Sequence, residues 1–220
     1  ENKSLMPKKQ RISKSNNLEF MNKSLWMLFL VVGMAYGQTQ KPTLKKAYFA
    51  GGCFWCVEAV FESLKGVEEA VSGYAGGNYK NPTYELVVQG RTGHAEAVEV
   101  IYNPQVISFK TLVTAFFESH DPTTLNQQGP DRGTQYRSIA FYSNAQERKD
   151  IETVMAQQAG KYRKPIVTEI QPMTLFYAAE GYHQDFEKKN PNNPYIRAVS
   201  IPRFEAFKAK RPDLLKKDSH

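Results

Sequence analysis

A chain of 220 residues, 41% hydrophobic and 23% charged, has the composition of a globular protein long enough to bury one core, which excludes a fibrous or wholly disordered chain. The formal charge of +7 is unevenly placed: residues 1–37 hold six Lys or Arg against Glu1 and Glu19, leaving +3 of mixed sign beyond them. No basic stripe interleaved with aromatics stands out there, so charge supports no nucleic-acid partner.

In chain order, residues 1–20 are polar and basic without apolar periodicity and read as a disordered or non-native extension. From Met21, Lys23 supplies a positive region, Leu25–Met34 an apolar run, and Ala35-Tyr36-Gly37 a small-x-small site. That run is too short to span a bilayer comfortably, so residues 21–37 are expected to be a secretory signal and Gln38 the mature start. The protein is then exported, periplasmic or secreted, with no stable membrane association after cleavage; an uncleaved anchor would also put the domain outside the cytoplasm.

Residues 38–45 read as a linker, 46–200 as the folded domain and 201–220 as a basic helical tail. "KAYFAGG" predicts a strand ending in glycines. A helix follows from about Cys53 to Leu64, because Phe54, Val57, Phe61 and Leu64 recur at helical spacing. "SGYAGGNYKNPTY" reads as a loop, and "YELVV" and "HAEAVEVIY" as strands of a hairpin joined by "QGRTG". Ser108 is placed to cap a helix carrying Phe109, Leu112, Val113, Phe116 and Phe117 on one face. After the long polar loop "HDPTTLNQQGPDRGTQ" come a strand, "YRSIAFYS", a helix over Asn144–Ala159, a strand, "PIVTEIQP", and a short helix in "FYAAEGYHQDFEKKN". This order suggests a single α+β domain, a two-layer sandwich around a mixed sheet.

Cys53 and Cys56 are the only cysteines. Zinc needs four ligands, and His94, His120, His183 and His220 are scattered singly. A structural disulfide across so short a loop removes little chain entropy. Redox chemistry is the better reading: Cys53 follows Gly-Gly at a helix N-terminus, where free N–H groups favour a thiolate. Spacing alone leaves a thioredoxin-like oxidoreductase, a thiol peroxidase and a sulfoxide reductase open.

The surrounding residues narrow this. "GGCFWCVEAVF", "SGYAGG", "NPTYELVVQGRTGHAEAVEV", "ESHDPTT", "DRGTQYRS" and "HQDFEKKNP" occur in the order seen in peptide methionine sulfoxide reductases of the A type, which the chain from Lys46 to Pro191 resembles. A thioredoxin-like thiol-disulfide oxidoreductase is the alternative, but the Gly-Pro usual between its cysteines is missing. The resemblance implies reduction of methionine-S-sulfoxide, free or in proteins, with no metal or organic cofactor, a thioredoxin-type dithiol reductant and a monomeric enzyme. It makes Cys53 the nucleophile, Cys56 the resolving thiol and Glu96 the acid, with Tyr84 and Tyr136 as donors to the sulfoxide oxygen. Asp131 becomes a further carboxylate holding substrate and water, and Phe54 and Trp55 line the methyl pocket. Many members carry resolving cysteines in a glycine-rich tail; "RFEAFKAKRPDLLKKDSH" has none, leaving Cys56 alone for that role.

On residue pattern, Glu96 falls in phase with Val98, Val100 and Tyr102, so a strand would desolvate it and raise its pKa. Tyr84 would share a strand face with Leu86 and Val88. Glu58 reads as a solvated or helix-stabilising acid, and the histidines as local hydrogen-bonding groups.

Overall fold

The computed structural model describes residues 43–217. The expected extension and signal segment lie outside them. Elements in chain order are β1 (Lys45–Gly51), α1 (Phe54–Glu62), β2 (Val67–Ala75), α2 (Tyr84–Val88), β3 (Ala95–Tyr102), α3 (Phe109–Ser119), β4 (Gln127–Gln128) and β5 (Asp131–Arg132). Then come β6 (Ser138–Tyr142), α4 (Ala145–Ala159), β7 (Glu169–Pro172), β8 (Phe176–Ala178), α5 (Phe186–Lys189) and α6 (Ile201–Lys210).

Six strands form one sheet in the order β7-β6-β1-β3-β2-β8, with β6 and β7 parallel and the other pairs antiparallel. The expected α+β class with a mixed sheet is the observed one. β3 lies inside the sheet, paired with β1 (Phe49↔Val98) and β2 (Tyr74↔Glu96), and is buried along nearly its whole length. Its two faces divide as strand alternation requires. Val98, Val100 and Tyr102 join Phe49, Phe61 and Phe116 in the main core, while Ala95 and Ala97 join a smaller cluster with Ile139 and Phe141.

Caps stand where the sequence put them. The Ser108 side chain accepts from Thr111 N–H and Asn144 Oδ1 from Glu147 N–H, each satisfying an orphan donor of a first turn. Three expectations need correction. Tyr84–Val88 is a helical turn, not a strand, with only Val87 fully buried and the Tyr84 N–H donating to Glu180 Oε1 at 3.0 Å. The true partner of β3 on that side is "VEEAVSGYA", whose glutamates and glycine hide its strand character from propensity. Finally, Ile201–Lys210 belongs to the folded unit: Phe204 and Phe207 are buried in the main core, and Leu215 bridges to Leu64.

Candidate active site

The site grows from the end of β1. Gly52 adopts φ +92°, and a Cβ there would lie 2.6 Å from the side chain of Gln128, so only glycine makes this turn. The turn delivers Cys53 as N-cap of α1, its own side chain capping none of the first N–H groups. One of them is answered from the sheet: Phe54 N–H donates to Glu96 Oε2 at 3.0 Å. Since β3 pairs with β1, the register that places Val98 beside Phe49 brings Glu96 to the mouth of α1. Cys53 and Cys56, one turn apart on α1, are both buried and both free thiols.

Two effects compete at Glu96. Burial favours the neutral acid; the Phe54 N–H favours the carboxylate. Burial wins, helped by the nearby Asp131 charge, and the pKa rises to about 8. A neutral carboxyl therefore sits beside the dithiol at neutral pH. The thiols are in hydrogen-bonding contact and do not share charge evenly. Burial, then the hydrogen bond with Cys56, pushes the Cys53 thiol well up. Cys56 is drawn down by that bond and, against burial, by the Arg203 charge and the hydroxyls of Ser200 and Tyr195. The expected resting thiolate at Cys53 is thus displaced to Cys56, because burial outweighs the helix terminus.

Around this pair the polypeptide gathers hydroxyls. Burial, then the Glu96 charge, pushes Tyr84 up to about 12 and Tyr136 higher, and Cys53 acts on both; each remains a donor at neutral pH. Tyr136 arrives on a short helical turn, Thr134–Tyr136, after β5. Asp131 is half-buried and accepts from Tyr195 OH at 2.6 Å. Trp55 remains partly exposed: its ring stacks on Phe186 with centroids 3.7 Å apart, and its Nε1 donates to His183 Nδ1 at 3.2 Å. Phe54 is only 1% exposed and packs against Tyr74, Tyr84 and His183, so it supports the wall that Trp55 presents.

Cys53, Cys56, Glu96, Asp131, Tyr84 and Tyr136 thus lie within range of one another's charge, and Phe54 packs between Trp55 and Tyr84. Sequence reasoning missed several contributors. Tyr195 and Arg203 come from the last third of the chain and bear on the cysteines, yet nothing in local periodicity marks them. Glu180 accepts from Tyr74 OH at 2.7 Å and from Tyr84 N–H, tying α2 to β2. Glu58, read as a solvated acid, is buried; it accepts from Ser72 Oγ and from Asp185 N–H, and burial raises it to about 7. His94 and His120 hold local hydrogen bonds, to Gly77 N–H and the Tyr79 carbonyl and to the Phe116 carbonyl and Ser138 Oγ respectively.

Known proteins resemble this chain over the segment that carries the dithiol. The sequence profile of the family described as peptide methionine sulfoxide reductase matches residues 45–214. "Peptide methionine sulfoxide reductase MsrA 1" of Rhodopirellula baltica is 48% identical over 176 residues, covering 80% of this chain and 92% of that protein. The MsrA of Saccharolobus solfataricus is 46% identical over 173 residues, covering 79% and 98%. Among solved structures, methionine sulfoxide reductase A of Corynebacterium diphtheriae superposes with a TM-score of 0.66 at 37% identity, covering 69% of this chain and 77% of that one. Reduced Mxr1 of Saccharomyces cerevisiae gives 0.64 at 36% identity, covering 71% and 92%. Profile, identity and fold coincide over the segment that carries the dithiol, and the chain belongs to the peptide methionine sulfoxide reductase family.

Proposed function

We propose that Cys53 attacks the sulfur of methionine-S-sulfoxide, that Glu96 protonates the departing oxygen, and that Cys56 resolves the resulting sulfenic acid. Thiol-dependent reduction of methionine sulfoxide is the activity of the family to which the chain belongs. The observation that carries the residue assignment is the Phe54 N–H···Glu96 bond, which holds a neutral carboxyl against the turn presenting Cys53.

A sulfoxide gives up oxygen only if that oxygen is protonated, and its sulfur accepts electrons from a soft nucleophile. Cys53 forms the S–S bond with substrate sulfur and gives its proton to the site. Glu96 supplies a proton to oxygen, and Tyr84 and Tyr136 donate hydrogen bonds to it as charge develops. As the oxygen moves, the substrate S–O bond and the transient S–S bond break and a Cys53 S–O bond forms, leaving methionine and Cys53 sulfenic acid, with two electrons passed from the thiol to the substrate. Trp55, backed by Phe54, receives the methyl group. Asp131, held by Tyr195, orders substrate and water.

The substrate is free methionine-S-sulfoxide or the same residue in a protein; the cleft of about 690 Å³ beside the site meets it only at Asp131 and Tyr195 and is not lined by Cys53, Glu96 or Trp55. The reductant is a dithiol protein of the thioredoxin type. The enzyme acts as a monomer outside the cytoplasm, exported by residues 21–37 and free of the membrane once these are removed; the support is the Lys23, Leu25–Met34 and Ala35-Tyr36-Gly37 pattern. The decisive assay is reduction of each sulfoxide epimer separately with dithiothreitol. Methionine should form from the S epimer, with little from R. Equal turnover of both would overturn the stereochemical assignment, and no turnover of either would overturn the activity.

A further inference from the structure

The cleft beside the site has a volume typical of ligand pockets, and apart from Asp131 and Tyr195 none of its residues takes part in the steps above. It begins at Asp131, the carboxylate assigned to hold substrate, whose Oδ2 accepts from Tyr195 OH. The side chain of methionine sulfoxide is short. When that residue belongs to a polypeptide, the chain on at least one side of it must leave the site across the neighbouring surface, and the cleft is such a path.

The charges along the cleft do not cancel. Glu118 is held by Lys161 at 2.8 Å and by Arg211 at 3.0 Å. Asp131 feels the nearby Arg203 charge. Asp121 turns its Oδ1 to the Thr123 N–H at 2.9 Å and the Thr123 hydroxyl at 2.7 Å. Lys210 donates to the Glu118 carbonyl at 3.3 Å, a neutral acceptor that leaves its charge uncompensated. Arg163 and Lys164 stand exposed on the cleft and make no hydrogen bond or ion pair among the described residues.

Those two cations are held in place by their backbone. They lie in "KYRKP", within the connection 160–168 between α4 and β7. On one side of them the Tyr162 hydroxyl donates to the Phe117 carbonyl at 2.9 Å; on the other, the Val167 N–H donates to the Pro122 carbonyl at 2.8 Å. The basic segment is thus fastened to the loop that runs on to Asp131, and its positive charge is fixed at the edge of the cleft. Adjacent cations on a concave surface concentrate potential there and attract a segment of opposite sign.

We propose that this cleft is a specificity subsite for protein-bound substrate: it takes the chain flanking the methionine sulfoxide and favours an Asp or Glu in that flank, through Arg163 and Lys164. The inference rests on the reduction of methionine-S-sulfoxide at Cys53. It separates the two forms of substrate, since the free amino acid carries no flank to place in the cleft.

The test uses the full-length enzyme with dithiothreitol as reductant. Its substrates are free methionine-S-sulfoxide and peptides in which one Glu, Gln or Lys is scanned through the residues on either side of methionine-S-sulfoxide. At positions that reach the cleft, kcat/KM should be about two- to fivefold higher with Glu than with Gln, the scale of an exposed ion pair, and lower again with Lys. The difference should shrink as salt is added. The double variant Arg163→Glu/Lys164→Glu should invert the order while leaving reduction of the free amino acid unchanged. Should that variant not fold, Arg163→Gln/Lys164→Gln should flatten the order instead. Peptide rates indifferent to flanking charge, or a preference for Glu that survives both variants, overturn the subsite. So does a response of these variants confined to the KM of a thioredoxin-type protein, which would give the cleft to the reductant. A parent enzyme that reduces neither peptide nor free sulfoxide would instead overturn the activity on which the subsite rests.

Discussion

The Phe54 N–H points at Glu96 Oε2 from 3.0 Å, so a strand carboxyl closes the first turn of the helix that carries both cysteines. Cys53 and Glu96 are thereby placed by one hydrogen bond between β3 and α1. If Glu96 is the proton donor, Glu96→Gln should keep the fold and lose activity by about 10²–10⁴. In the parent, the step that consumes sulfoxide should fall off as pH rises through about 8, where the acid form is lost. Glu58→Gln, whose carboxyl faces Ser72 and Asp185, should lose far less. Steady-state and burst kinetics of both variants from pH 6 to 9 check this; equal, mild losses would sink the assignment.

The same carboxyls give stability a pH dependence whose sign follows from their raised pKa values. Glu96 (about 8) and Glu58 (about 7) bind protons in the folded protein at pH values where the unfolded chain has released them. Stability is therefore fully present below the ordinary carboxylate range near 4.5 and declines as pH rises through 7 and 8. Cys56, drawn down to about 6, pulls the other way between pH 6 and 9, so the carboxyls are read as a difference: the parent midpoint should fall with pH relative to that of Glu96→Gln and of Glu58→Gln. Parent and variant midpoints running parallel across that window would contradict the burial argument.

The two cysteines should separate cleanly. Cys53→Ser should reduce no sulfoxide with any donor, since a hydroxyl is a poor nucleophile toward sulfur. Cys56→Ser should release about one methionine per enzyme and then stall as a sulfenic acid, because the sequence holds no third cysteine. Turnover with a thioredoxin-type protein should collapse, while a small thiol restores some of it. Mass spectrometry of Cys53 after one turnover decides; absence of a burst from folded Cys56→Ser would mean that both thiols act in the first step.

Gly52→Ala should cost both stability and activity. At φ +92° a side chain is strained by about 1–3 kcal/mol, and its Cβ would collide with Gln128. Since the turn aims Cys53 at Glu96, the rate should fall even where the protein stays folded. Thermal melts with kcat/KM measure both, and an unchanged midpoint would show that the turn adapts freely.

Export is checked by N-terminal sequencing of the protein from its native cells. A start at or near Gln38 is expected. Mature protein in the cytoplasm that retains residues 21–37 would overturn it.

Much of this site was legible in the chain. Local patterns report on neighbours along the sequence, and they worked where the structure is local: α1 follows its Phe54, Val57, Phe61 spacing, Ser108 and Asn144 cap their helices, and Glu96 shares the face of Val98 and Val100. Ordered motifs marked Cys53, Cys56, Glu96, Tyr84 and Tyr136, which the fold brings within range of one another's charge. What the sequence could not decide depends on partners distant in the chain. "YELVV" has strand propensity but becomes a turn of helix, because its first N–H is taken by Glu180 and β2 already occupies the edge of β3. Glu58 looks solvated until Ser72 and Asp185 close over it. The charge on the dithiol is likewise tertiary: α6 brings Arg203 and the π-helical turn before it brings Ser200 to Cys56, while burial keeps the proton on Cys53. Residue identity names the groups that can ionise; only packing, which sets desolvation and the distance between charges, determines which of them does.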